Sequence, residues 1–151
     1  MRLPTASIWT DSPTLLTILT RKFESMIMVT NALSPMRVVE GLDDLVAPNG
    51  TIAVMSSGQG SVANNERGGF EVYRGSKAAL NTFMRSYAAR HHNDARTLLL
   101  LAPGWVKTRL GGPNARLNVD ESIPNLVNVI DAQHAHGGLQ YLDYCGATVP
   151  W

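Results

Sequence analysis

Three side chains in one stretch of the chain, Ser57, Tyr73 and Lys77, are of types that together can manage the proton of a carbonyl or an alcohol. Residues four apart on a helix share a face, so Tyr73 and Lys77 can point together into one cleft. A lysine ammonium near a phenol favours the phenolate and draws the tyrosine pKa down from about 10 toward neutrality. A tyrosine tuned in this way trades a proton with a carbonyl or alcohol oxygen near physiological pH. A serine hydroxyl delivered to the same cleft would hold that oxygen.

Positioning these groups requires a strand, a loop and a helix. Pro48-Asn49-Gly50 is a turn signal. After it comes an apolar run with the β-branched residues Thr51, Ile52 and Val54, ending in Ser56-Ser57. This predicts a strand that carries a serine at its end. Residues 58–72 are rich in Gly, Asn and Ser and read as a loop. From Val72 to His91, Ala79, Leu80, Phe83, Met84, Tyr87 and Ala88 form an apolar stripe at helical spacing.

Ser57, the Tyr73-x-x-x-Lys77 pair opening a Ser-Lys-Ala-Ala-Leu helix, and the later Pro103-Gly104-Trp105-Val106-Lys107-Thr108 resemble the short-chain dehydrogenase/reductase family, nearest its carbonyl-reductase and C-factor-like branch. The resemblance covers roughly residues 20–151. It implies an α/β fold, the later part of a Rossmann-like, doubly wound parallel sheet. It also implies an NAD- or NADP-dependent oxidoreductase that moves hydride between nicotinamide and a small carbonyl or alcohol substrate. In that pattern Tyr73 is the acid/base, Lys77 tunes it and contacts the nicotinamide ribose, and Ser57 orients the oxygen. Ser57 aligns with the family's second serine, and Ser56 would point to the opposite face of the strand. Asn31 falls where the family keeps an asparagine whose backbone, at a helix kink, supports a proton relay through water. Tyr73, Lys77, Pro103, Gly104, Val106 and Thr108 would meet the cofactor, the backbone of Val106 and the hydroxyl of Thr108 at the nicotinamide carboxamide.

Between Thr14 and Val46, Leu15, Leu19, Phe23 and Ile27, then Val38, Val39, Leu42 and Leu45, recur at helical spacing. Pro35 should kink or divide this helix near Ser34. The run Thr97–Ala102, TLLLLA, is what a parallel strand covered on both faces requires, and Pro103-Gly104 ends it. Asn118 with Glu121 suggests a capping box, while Pro124 moves the expected regular helix start to near Ser122. Gly137-Gly138 should stop that helix, and Leu139 to Trp151 is expected to form the last strand. Residues 1–13 match nothing in the pattern, and residues 14–151 read as one domain. No glycine-rich turn of the Thr-Gly-x-x-x-Gly-x-Gly type follows a first strand, and no residue is assigned to the adenosine ribose. The expectation is therefore the back half of the fold, with a start upstream of Met1 as one explanation.

Bulk properties exclude several other classes. A net charge of +1 without a basic cluster gives no support for nucleic-acid or acidic-membrane binding. No stretch of about 18 apolar residues offers a membrane span. A single cysteine, Cys145, rules out an internal disulfide framework and suits a reducing cytoplasm. His91 and His92 are adjacent, and His134 and His136 lack a third ligand, so no metal site is expected. The family's use of two helices for self-packing makes a homodimer the expected assembly. An alternative of a different class is a non-catalytic interaction or signalling fragment that retains those dimerisation helices.

Overall fold

The computed structural model describes residues 15–151, with side chains from Arg21 onward. The expectations placed on residues 1–13, and on the side chains of Leu15 and Leu19, lie outside the described residues.

Three parallel strands form the centre: β1 (Thr51–Met55), β2 (Thr97–Ala102) and β3 (Gly138–Asp143), in the order β1-β2-β3. Thr51 pairs with Thr97 and Thr97 with Gly138, so the sheet is in register across all three. All six residues of β2 are buried, which is why its sequence is a continuous apolar run. Leu98, Leu100 and Ala102 point to one face, against α2 (Ser34–Leu42) and α3 (Glu71–Arg90). Leu99 and Leu101 point to the other, against Leu126 and Val129 of α4 (Val119–Ala132). Each buried leucine of this kind stabilises by about 1.5 to 3 kcal/mol relative to exposure. Helices on both faces of a parallel sheet make this the expected α/β, doubly wound arrangement. β1 is covered on one face only: Ile52 and Val54 are buried, whereas Ala53 and Met55 are exposed.

The first helical stretch is divided as Pro35 predicts. α1 (Leu15–Met28) passes into a π-helical turn, Val29–Leu33, before α2 begins with Pro35 in its first turn. Pro35 has no N–H, so it cannot donate the usual α-helical bond to the Asn31 carbonyl four residues back. The π turn also corrects the expected apolar face. Its extra residue rotates everything after it, so Ala32, Met36 and Val39 are buried while Val38, Leu42 and Leu45 are exposed.

Three further expectations are corrected. α4 starts at Val119, not near Ser122, and keeps Pro124 inside it. The cost is one bond to Asp120, an exposed carbonyl near the helix start, while the Asn118 N–H reaches the Glu121 carboxylate at 2.7 Å and Asn125 donates to the Glu121 carbonyl at 2.8 Å. α4 also ends at Ala132, before Gly137-Gly138. The final strand stops at Asp143, whose carboxylate accepts the N–H groups of Cys145 and Ala147, both at 2.9 Å. With Gly146 at φ +81°, this turns the chain back so that Leu142 faces Thr148 and the tail returns along β3.

Candidate active site

The carboxyl end of β1 delivers two adjacent serines to different environments. Ser56 is buried on the α3 side and donates to Asn81 Oδ1 at 2.6 Å, while Asn81 Nδ2 donates to the Gly60 carbonyl at 3.3 Å. Its hydroxyl is consumed in holding strand, loop and helix together. Ser57 is half-buried, and its hydroxyl accepts the Gln59 N–H at 3.2 Å, which leaves its own proton to donate. The Ser57 carbonyl accepts a hydrogen bond from the Tyr141 phenol. Gly60 lets α3 come close: a Cβ there would sit 3.0 Å from both the Lys77 backbone carbon and the Asn81 amide.

Tyr73 and Lys77 stand one turn apart near the start of α3, both half-buried. Lys77 Nζ donates to the Met55 carbonyl at 3.0 Å, which brings its ammonium to the carboxyl end of β1, next to the serines. Burial pushes the Lys77 pKa below the ordinary lysine range. Between the two side chains, buried Ser76 donates to the Tyr73 carbonyl at 2.7 Å and accepts from Asn31 Nδ2 at 3.0 Å. Asn31, in the π turn, is thereby tied to the turn of helix that bears Tyr73 and Lys77. Lys77 thus reaches the strand end that carries Ser57, Tyr73 lies one turn before it on α3, and Asn31 is tied to that turn through Ser76.

The segment after β2 supplies the other wall. Gly104 has φ +78°, which favours glycine, and a Cβ there would lie 2.6 Å from Leu117 Cδ1, so that side chain would have to shift. Lys107 N–H donates to the Leu117 carbonyl at 2.8 Å and Leu117 N–H to the Trp105 carbonyl at 3.0 Å, which folds residues 105–117 into a closed loop. Thr108 is engaged within that loop: its hydroxyl accepts the Gly111 N–H at 3.0 Å and lies 3.4 Å from the Val106 carbonyl. Trp105 is half exposed and its indole N–H bonds the Gly111 carbonyl at 2.8 Å. From α4, Ser122 donates to the Pro103 carbonyl at 2.7 Å and fixes the exit from β2.

Several residues that hold this site were not singled out in the sequence. Ser76 and Asn81 carried a signal, since both are small polar residues next to the apolar stripe of α3. Tyr141 carried none, because its partner lies 84 residues away in sequence. Burial pushes its phenol pKa up, so it stays a hydrogen-bond donor. A cavity of about 200 Å³ opens beside the loop, lined among others by Gln59, Val62, Arg74 and Ala78, but not by Ser57, Tyr73 or Lys77. Among the described residues no group of three or more His, Cys, Asp or Glu side chains could hold a metal ion, and no helix is long and apolar enough to cross a membrane.

A parallel sheet with helices on both faces and polar side chains gathered at the carboxyl ends of its strands is a Rossmann-like architecture. The chain belongs to the short-chain dehydrogenase/reductase family. A family model described as enoyl-(acyl carrier protein) reductase matches residues 6–134. C-signal of Myxococcus xanthus is 37% identical over 123 residues, covering 80% of this chain and 74% of that protein. A Burkholderia multivorans structure assigned to the short-chain dehydrogenases/reductases, with bound NADP, is 55% identical with a TM-score of 0.87, over 93% of this chain and 61% of that one. A carbonyl reductase of Pseudomonas aeruginosa in complex with NADP is 35% identical with a TM-score of 0.77, over 85% of this chain and 56% of that one. The chain therefore spans little more than half the length of these two solved relatives.

Proposed function

We propose that the chain carries the catalytic part of an NAD- or NADP-dependent carbonyl reductase or alcohol dehydrogenase. The observation that carries this reading is Lys77 held at the Met55 carbonyl, at the strand end that carries Ser57, with Tyr73 one turn earlier on the same helix. A nicotinamide cofactor, when bound, supplies or accepts the hydride. Tyr73 gives a proton to the substrate oxygen in reduction, or takes it in oxidation. Ser57 donates its hydroxyl hydrogen to that oxygen and orients it. Lys77 turns from the Met55 carbonyl to the nicotinamide ribose and lowers the cost of the tyrosinate.

The groups present suit the nicotinamide end of such a cofactor: Lys77 is a half-buried donor, and Pro103, Gly104, Val106 and Thr108 follow the neighbouring strand end. Thr108 reaches a carboxamide only by exchanging its contacts with Val106 and Gly111. The π turn supports a relay role for Asn31, because Pro35 leaves the Asn31 carbonyl without its α-helical donor. The exposed apolar side chains Phe23, Met26, Val29 and Leu33 support self-association into a homodimer, and the single cysteine fits a cytoplasmic setting.

The test is a titration of the chain with NADH and NADPH, followed by cofactor fluorescence, with reduction of a small aldehyde or ketone measured alongside. Saturable binding, and turnover reduced at least a hundredfold in Tyr73→Phe, is the expected result. Absence of binding up to millimolar cofactor would overturn the reading for this chain.

A further inference from the structure

The connection that carries Ser57 is gripped from two strands away in the sheet. Tyr141 belongs to β3, with β2 lying between it and β1, yet its phenol reaches past β2 to donate to the Ser57 carbonyl where β1 ends. The side chain is almost fully buried, at 1% exposure. Trp151 lies tilted against the Tyr141 ring, with centroids 5.4 Å apart, and Arg85 of α3 stands 4.6 Å from the centre of the indole. The carbonyl of the same Trp151 accepts the N–H of Ala63, further along the connection, at 2.9 Å. Val149 N–H donates to the Tyr141 carbonyl at 2.8 Å and is itself buried, so the tail is anchored on β3. The returning tail thus contacts the loop at two points, one at Ser57 and one at Ala63.

We propose that Tyr141 and Trp151 form a two-point latch that sets where the loop between β1 and α3 holds Ser57, with Tyr141 as a positioning residue for the serine hydroxyl. The Ser57 carbonyl and hydroxyl belong to one residue in extended backbone, φ −164° and ψ 143°. Rotation that breaks the carbonyl contact also swings the hydroxyl. Asn81 holds Ser56 and Gly60 on either side of it, so the latch and the asparagine divide the loop between them. The functional consequence rests on the reading of Ser57 as the residue that orients the substrate oxygen, whereas the latch itself does not.

Tyr141→Phe removes the phenol oxygen while keeping the ring that fills the core, and Trp151→Ala keeps the carbonyl that Ala63 bonds but removes the indole that anchors it against Tyr141 and Arg85. Amide hydrogen exchange is followed over residues 57–65, with β2 at residues 97–102 as the internal reference for global stability. Exchange of the Gln59, Gly60 and Ser61 amides is expected to quicken about tenfold in Tyr141→Phe, and that of Ala63 in Trp151→Ala, with β2 unchanged. Where the parent chain turns over, Tyr141→Phe is also expected to lower kcat about tenfold with the cofactor KM unmoved. Loop exchange within twofold of the parent in both variants overturns the latch. A loosened loop with kcat unchanged overturns the positioning role. A parent chain without turnover counts against the functional reading alone, and exchange then decides the latch.

Discussion

Lys77 Nζ lies 3.0 Å from the Met55 carbonyl oxygen, so the lysine proposed to bind the nicotinamide ribose is docked here on the last residue of a strand. Burial keeps its pKa below the usual lysine value. Below the lowered folded value the ammonium is charged in both the folded and the unfolded chain, and the fold bears its desolvation. As pH rises through the lowered folded value toward the ordinary value of about 10.4, the folded lysine loses its proton first and the fold gains relative stability. Lys77→Met lacks this gain. Thermal melts of both proteins from pH 7 to 10 are expected to show the parent improving relative to the variant, and a margin moving the other way would refute the assignment.

Asp94 gives a dependence of the same sign at the acid end of the scale. The Arg96 guanidinium bonds its carboxylate and holds it below the usual carboxylate range, while also reaching the Asp43 carbonyl at 2.6 Å. A depressed folded pKa contributes stability that is present above the unfolded value of about 3.9 and is lost as pH falls through the folded one. Asp94→Asn is expected to flatten the acid limb of the stability profile below about pH 4 and to leave the alkaline limb unchanged.

Ser56 and Asn81 should behave as one unit. Asn81→Ala leaves the Ser56 hydroxyl and the Gly60 carbonyl without the partner that now holds them, at an expected cost of about 1 to 3 kcal/mol. Ser56→Ala combined with Asn81→Leu should cost less than the two single changes added together, because the polar groups leave as a pair. Denaturant melts of the double-mutant cycle measure the difference, and strict additivity would show the contact to be idle.

Phe70 occupies left-handed backbone, φ 56° and ψ 35°, immediately before α3, with its ring 73% exposed. The conformation is costly for a bulky residue, and little packing offsets it. Phe70→Gly is expected to stabilise by about 0.5 to 1 kcal/mol after glycine's greater unfolded freedom is counted, raising the Tm by about 1 to 4 °C. A lowered Tm would mean that the packing of the ring outweighs the strain of the left-handed backbone.

The elements that carry chemistry were legible because they obey one-dimensional rules. TLLLLA had to be a doubly covered strand, Pro35 had to break a helix near Ser34, and a Tyr-x-x-x-Lys spacing had to share a face. The rest depends on partners that only the fold supplies. The π turn at Val29–Leu33 rotates the buried face of α2, so counting by three and four past it chose Val38 and Leu42 in place of Met36. Pro124 sits inside α4 because the bond it forfeits belongs to an exposed carbonyl near the helix start. The division of labour between Ser56 and Ser57 likewise follows from where Asn81 and Tyr141 stand.

The sheet register has a consequence measured in time. Thr51 meets Thr97, and Thr97 meets Gly138, so each pair among β1, β2 and β3 closes over a long crossover and no hairpin joins these three strands. Chains whose strands pair only at a distance in sequence cross their folding barrier slowly. While they wait, their apolar strands are open to one another, and the wait lengthens the window in which neighbouring chains can associate wrongly. Dilution, or slower and cooler synthesis, should raise the yield of folded chain more than any single stabilising substitution above.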